Sequence, residues 1–254
     1  MLRHFIFFKN LLRNFNYFDS IILVILIMLR SKKIFLPFLG RTIYFRKKTK
    51  DKQTFKEIFN QNIYDVKLPI IPNLIVDAGS NTGFASLFFK LKYPEAEIIS
   101  LEIETDNVKM IRKNLKNFKG IEIIQKGLFN KKAFFRIEDP YQATNSFVIK
   151  EVTQNENYDI ESITIDEILT STKAETIDLL KIDIEGTEKE LFEKNYENWL
   201  PKVKILMIET HDRMIPNCSY SVMKSLYECN FMLYTTTKET LVYFNLSFIS
   251  LSAI

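Results

Sequence analysis

The stretch Asn73-Leu-Ile-Val-Asp-Ala-Gly-Ser-Asn-Thr-Gly-Phe84 constrains this chain more than any other, because a short apolar run meets an acid and then a glycine-punctuated turn. Leu74, Ile75 and Val76 predict a strand buried on both faces. Phe84, Leu87, Phe88 and Leu91, at i, i+3, i+4 and i+7, predict the core stripe of a helix. The turn therefore joins strand to helix. Gly79 and Gly83 remove side chains that would keep a ligand off the backbone, and the amides of Asn81, Thr82 and Gly83 are expected to point out of the helix N-terminus.

A dinucleotide fingerprint wants G-x-G-x-x-G, whereas the spacing here is Asp77-x-Gly79-x-x-x-Gly83. An acid before the turn is a poor neighbour for pyrophosphate and a good one for an ammonium group. The next apolar run, Glu97 to Glu102, ends in a carboxylate placed for two ribose hydroxyls. An acid, a glycine turn and a strand-end acid suit S-adenosylmethionine, which carries an amino acid and a ribose but no phosphate. A nicotinamide-dependent oxidoreductase is the competing enzyme reading, and the missing Gly-x-Gly argues against it.

The 254 residues suffice for one large core. Cys218 and Cys229 cannot build a disulfide framework, and with only His4 and His211 no zinc-type cluster is expected. A reducing, cytoplasmic setting follows. The net charge of +4 hides an asymmetry: residues 1–50 carry 11 Lys or Arg against the single acid Asp19, and the remainder carries 24 against 30. A working domain of net −6 is not that of a nucleic-acid enzyme, which shows a basic patch.

The basic charge sits in an apolar leader, residues 1–40, ahead of an expected catalytic domain, residues 41–254. Residues 2–18 place Phe7, Phe8, Leu11, Leu12, Phe15 and Phe18 on one side of a helical wheel, which predicts an interfacial helix or one packed on the domain. The uncharged run Ser20 to Leu29 is too short to span a bilayer, and no small-residue cleavage site follows it. Peripheral association of residues 1–33 with the inner face of a membrane is the expectation for this leader. Further on, Thr105 is expected to cap a helix, residues 138–160 read as a polar irregular segment containing Asn145, and Ile177 to Gly186 and Val203 to His211 read as buried strands. Strands alternating with helices predict an α/β fold with a parallel sheet.

In such a sheet ligands bind beyond the carboxyl ends of the strands. That brings Asp77, Glu102, Gly127, Asp183, Glu185, Glu209 and His211 to one crevice. Asp183 and Glu185, like Glu209 and His211, are spaced by two and would share a side of their strand. An imidazole beside carboxylates makes His211 the candidate general base, helped by Asp183 or Glu209, with Glu185 and Asn145 as candidate substrate contacts. The same acids and imidazole could hold magnesium or manganese, although a metal-free base is preferred.

Four motifs in order carry a family resemblance: Val76 to Gly83, Ile99 to Glu102, Asp178 to Glu188 and Met207 to His211. Together they resemble the FkbM family of S-adenosylmethionine-dependent methyltransferases, from about Thr54 to Asn245. The resemblance implies a class I methyltransferase, Rossmann-like fold: a mostly parallel seven-stranded sheet flanked by helices, its last strand antiparallel. It implies O-methylation of a sugar, glycolipid precursor or other natural product. It also implies that Asp77, Gly79, Asn81 and Gly83 hold the methionine part of the cofactor and Glu102 the ribose. Gly127 and Asp183 are the further candidate cofactor contacts, although Lys126-Gly-Leu-Phe-Asn130 departs from the family's pattern after the third strand and leaves the adenine contact open. A catalytically inactive scaffold with this fold is the remaining alternative.

Overall fold

The structure, a computed structural model, describes residues 2–138, 148–153 and 156–253. Its elements in chain order begin with α1 (Leu2–Leu11), α2 (Tyr17–Met28), β1 (Lys33–Leu36), β2 (Arg41–Tyr44) and α3 (Asp51–Phe59). The alternating core then runs β3 (Leu74–Ala78), α4 (Phe84–Lys92), β4 (Glu97–Leu101), α5 (Thr105–Asn114) and β5 (Ile121–Ile124). Four short strands follow, β6 (Gly127–Leu128), β7 (Phe134–Glu138), β8 (Val148–Val152) and β9 (Ile160–Ile163). The chain ends with α6 (Ile165–Thr172), β10 (Ile177–Ile182), α7 (Glu188–Glu193), α8 (Tyr196–Trp199), β11 (Val203–Ile208), α9 (Cys218–Glu228), β12 (Phe231–Thr237) and β13 (Thr240–Asn245).

Seven strands form one sheet in the order β12-β13-β11-β10-β3-β4-β5. From β11 to β5 every neighbouring pair is parallel, and β13 runs antiparallel to both β11 and β12. Successive residues in a strand point to opposite faces. Ile75, Ile98, Leu179 and Ile205 accordingly enter one core, while Val76, Ile99, Leu180 and Leu206 enter the other. Helices cover both faces, which is why these strands read as continuous apolar runs rather than alternating ones. The order reverses between β3 and β10, and the ends of those two strands make the floor of the site.

The leader is built into the first core. Its hairpin partner β2 lies beyond residue 40, so β1 pairs with a strand of the following segment. Phe7, Leu11, Phe15, Leu23 and Ile27 are buried in the same cluster as Phe55, Phe59, Phe84 and Phe88. Phe15 packs 5.1 Å from Phe59, and Phe55 lies 5.3 Å from Phe84, the first residue of α4. An aromatic chain thus runs from the leader to the helix behind the glycine turn.

Several local expectations need correction. The helix expected over residues 2–18 ends at Leu11; Phe7, Leu11 and Phe15 pack on the domain, as the second of the two readings has it, while Phe18 faces outward. Glu104, not Thr105, caps α5, its carboxylate accepting the N–H groups of Asp106 and Asn107, because its extended backbone lets the longer side chain fold back. The segment expected to be irregular contains β8, which pairs antiparallel with β7 in a side sheet ordered β6-β9-β7-β8. Asn145 lies outside the described residues.

Candidate active site

The glycine turn is required by the closeness of two backbones. Gly79 has φ +78°, and a Cβ there would lie 1.7 Å from the carbonyl oxygen of Asp183, on the loop after β10. Gly83, at φ +82°, caps α4 from the left-handed region. Two of the amides expected to be open are engaged: Asn81 donates its N–H to Glu102 Oε2 at 2.7 Å, and Gly83 donates its own to the Ser80 carbonyl at 2.8 Å.

Glu102 follows β4 and is buried. Its Oε1 also accepts the N–H groups of Ile103 and Glu104, each at 2.9 Å. Burial pushes its carboxyl up to about 7, against the pull of those donors. It forms the wall of a cleft of about 680 Å³, together with Gly79, Asn81, Asn107, Gly127 and Asp183. Asn107 Oδ1 in the same wall is buried without a hydrogen-bond partner among the described residues. Two acceptors therefore face one cleft.

Asp77 sits elsewhere than its strand-end position suggests. Its side chain is fully buried and lines neither this cleft nor the second one described below. The ammonium it meets is that of Lys181, 3.2 Å from Asp77 Oδ1, because the parallel register of β3 and β10 sets the two residues opposite each other. Ser86 donates to Asp77 Oδ2 at 2.6 Å. Lys181 donates further to the carbonyls of Gly79 at 2.8 Å and Ala78 at 3.2 Å. Asp77 thus supports the turn from beneath, where direct contact with a cofactor had been expected.

The second cleft, about 1360 Å³ and open to solvent, shares Gly79, Asn81, Asp183 and Glu185 with the first. Five carboxylates line it: Glu57, Asp183, Glu185, Glu209 and Glu239. His211 stands behind them. Its Nδ1 lies 2.8 Å from Oε1 of the fully buried Glu188, and its Nε2 lies 3.6 Å from Asp183, 3.6 Å from Glu185 and 3.8 Å from Glu209. Glu188 already accepts two backbone N–H groups, so Nδ1 is the donor of this pair, and Nε2 has no partner within hydrogen-bond distance. Burial alone would lower the imidazole's pKa, but the Glu188 hydrogen bond and the charges of Glu188, Asp183 and Glu185 outweigh it and raise it to about 9. Burial, then Asp183, pushes Glu209 up to about 8 and Glu185 to about 7.

Asp183, Glu185, Glu209 and His211 do converge, though not by strand alternation. β10 ends at Ile182 and β11 at Ile208, so all four sit on the loops that follow. Glu185 reaches His211 because its backbone is left-handed, φ +55°, ahead of Gly186 at +105°. Glu188 holds that turn by accepting the N–H groups of Ile184 and Gly186 at 3.1 and 2.8 Å. Sequence reasoning gave Glu188 and Lys181 no role. The signal for Glu188 was an acid two residues after a glycine at a helix start, and a lysine inside an apolar strand run was the signal for Lys181. One ligand atom each from Asp183, Glu209 and His211 lie within 4.8 Å of one another, close enough to share a metal ion.

Among solved structures the fold resembles the fibrillarin pre-rRNA processing protein of Methanococcus jannaschii, at 11% identity over 74% of each chain and a TM-score of 0.45. It also resembles a SAM-dependent methyltransferase of Aquifex aeolicus, at 13% identity, 75% and 91% coverage and a TM-score of 0.40. Curated relatives include Methyltransferase sdnD of Sordaria araneosa, 29% identical over 190 residues, 61% of this chain and 73% of that one. Methyltransferase 1 of Beauveria bassiana is 27% identical over 158 residues, 54% of this chain and 64% of the relative. The model of the methyltransferase FkbM domain matches residues 77–233, from the acid before the glycine turn to β12. With more than half its length matched and the methyltransferase strand order in place, the chain belongs to the FkbM methyltransferase family.

Proposed function

We propose that this methyltransferase carries the methyl group of S-adenosylmethionine to a hydroxyl of a sugar, glycolipid precursor or other small natural product. The family implies this cofactor, and the first cleft fits it. Glu102 and the unpartnered Asn107 Oδ1 offer two acceptors for a ribose diol, and the backbone at Gly79 and Asn81 leaves room for the amino acid part. When bound, the cofactor supplies an electrophilic methyl group. The chain's own task is to align a hydroxyl in the second cleft and take its proton. His211, with Nδ1 held by Glu188, presents Nε2 as the base, and the nearby charge of Asp183 adds to that of Glu188 in raising its basicity.

The observation that carries this reading is the junction of the two clefts at Gly79, Asn81, Asp183 and Glu185, directly before His211. A second reading makes Glu209 the base, since it lines the acceptor cleft while His211 does not. The acidic lining supports a small or glycan acceptor and opposes a nucleic acid, whose phosphates it would repel. For the setting we propose the cytoplasm at the inner face of a membrane. Two free cysteines and the basic leader support it, and no helix among the described residues is long and apolar enough to cross a bilayer.

Calorimetric titration tests the cofactor assignment. S-Adenosylmethionine should bind and NAD should not, and Glu102→Gln should weaken binding about 10-fold or more, as expected for losing a hydrogen bond to a charged group. NAD binding in place of S-adenosylmethionine would end the reading, and unchanged affinity in Glu102→Gln would remove the ribose role. Activity that survives exhaustive chelation supports the metal-free base; loss restored by manganese would give Asp183, Glu209 and His211 to a cation instead.

A further inference from the structure

Every charge on the outward side of α2 is missing. Asp19, the only acidic or basic residue from Tyr17 to Met28, is buried, and its carboxylate accepts the N–H groups of Phe38 and Leu39 at 3.3 and 2.9 Å. That clamp seats the β1–β2 hairpin turn beside the start of α2. Phe38 stacks there on Phe18 at 5.3 Å, and both rings are more than half exposed. Ile25 and Met28 continue the Phe18 stripe at helical spacing and are also about half exposed. The opposite stripe, Leu23 and Ile27, is the one the core consumes. A soluble surface rarely leaves such a continuous apolar strip uncovered without a partner for it.

The charges lie at the strip's end. Arg30, Lys32 and Lys33 follow α2, are exposed, and make no ion pair among the described residues. Lys33 and the exposed Phe35 share the outer side of β1, since Ile34 and Leu36 point inward. α2 is about 18 Å long at 1.5 Å per residue, against about 30 Å of bilayer hydrocarbon, so it can lie in an interface but not cross it. An apolar strip that ends in unpaired cations matches acyl chains topped by anionic phosphate, whereas an acidic protein partner would leave the strip's rings wet.

We propose that the outer face of α2 and the β1–β2 hairpin is a docking surface for an anionic lipid bilayer, with Phe18 and Phe38 entering the headgroup boundary and Arg30, Lys32 and Lys33 meeting the phosphates. This rests on the proposed membrane setting and not on the methyl-transfer reading. It also moves the contact from the expected Phe7, Leu11 and Phe15 stripe, which is buried, to a different set of side chains.

The full chain is sedimented with phosphatidylglycerol–phosphatidylcholine vesicles and with phosphatidylcholine vesicles alone, at low and high salt. Binding to the anionic vesicles that weakens with salt is expected. At about five-fold per basic residue, Arg30→Gln with Lys32→Gln and Lys33→Gln should lower the partition coefficient roughly 100-fold at low salt. Phe18→Ser with Phe38→Ser should lower it at every salt concentration, with S-adenosylmethionine affinity unchanged in both variants. The proposal fails if the wild-type protein stays in the supernatant with anionic vesicles, or if both variants bind as it does. It also fails if light scattering finds a dimer that Phe18→Ser dissolves and no vesicle binding, which would give the face to a second copy. Loss of vesicle binding with cofactor binding intact refutes only this surface; the converse refutes only the methyl-transfer reading.

Discussion

Replacing Lys181 by methionine tests whether the site stands on a buried ion pair. The ammonium touches Asp77 Oδ1 and the carbonyls of Ala78 and Gly79, and both side chains are almost wholly buried. Methionine matches the aliphatic stem, so packing is kept and the charge alone is removed. Asp77 is then left as a buried carboxylate with Ser86 as its single side-chain donor. Breaking a buried pair in this way costs about 3–5 kcal/mol. For a chain of this size 1 kcal/mol moves the melting temperature by about 2–4 °C, so Lys181→Met should melt roughly 6–20 °C lower. Adding Asp77→Asn removes the orphaned charge, and the double variant should recover part of the loss, with a coupling of about 1–3 kcal/mol. Burial disfavours the Lys181 charge, but Asp77, then Tyr64 and Asp183, outweigh it and raise its pKa. A raised lysine pKa stabilises fully below the unfolded value and fades only as pH rises through the folded one, so the difference between wild type and Lys181→Met should hold from pH 6 to 9. Calorimetric melting across that range is the assay. A Lys181→Met protein that melts within about 2 °C of wild type, or a double variant that loses the full sum, would refute the reasoning.

Gly79→Ala should cost about 1–3 kcal/mol from its left-handed backbone alone, with the collision on the Asp183 carbonyl added; melting and cofactor titration should both fall, and an unchanged affinity would show that the turn can shift freely. In Glu188→Gln the imidazolium loses its nearest anion, so the acid limb of kcat/KM, expected near pH 9, should move to lower pH. A raised histidine pKa contributes stability that is full below about 6.5 and lost through about 9, so the melting penalty of Glu188→Gln should be larger at pH 6 than at pH 9.5. A limb that stays in place would transfer the base role to Glu209.

The amino-acid sequence by itself determined the strands, the glycine turn and the strand-end acid. The runs at residues 74–78, 97–101, 177–182 and 203–208 are mostly apolar and do not alternate, because both faces of the sheet are covered, a property each run displays alone. Gly79 and Glu102 were legible for the same reason: a backbone that must pass another backbone, and a carboxylate that ends a buried strand, leave local marks. What only the tertiary structure decided is which groups pair. Asp77 and Lys181 are 104 positions apart and meet through the register of two parallel strands, and Glu188, at the start of α7, reaches His211 on the loop after β11. The leader's apolar pattern likewise could not say which of its two stripes the core would take. Periodicity reports that a face is apolar; the packing of the rest of the chain decides whether that face is covered.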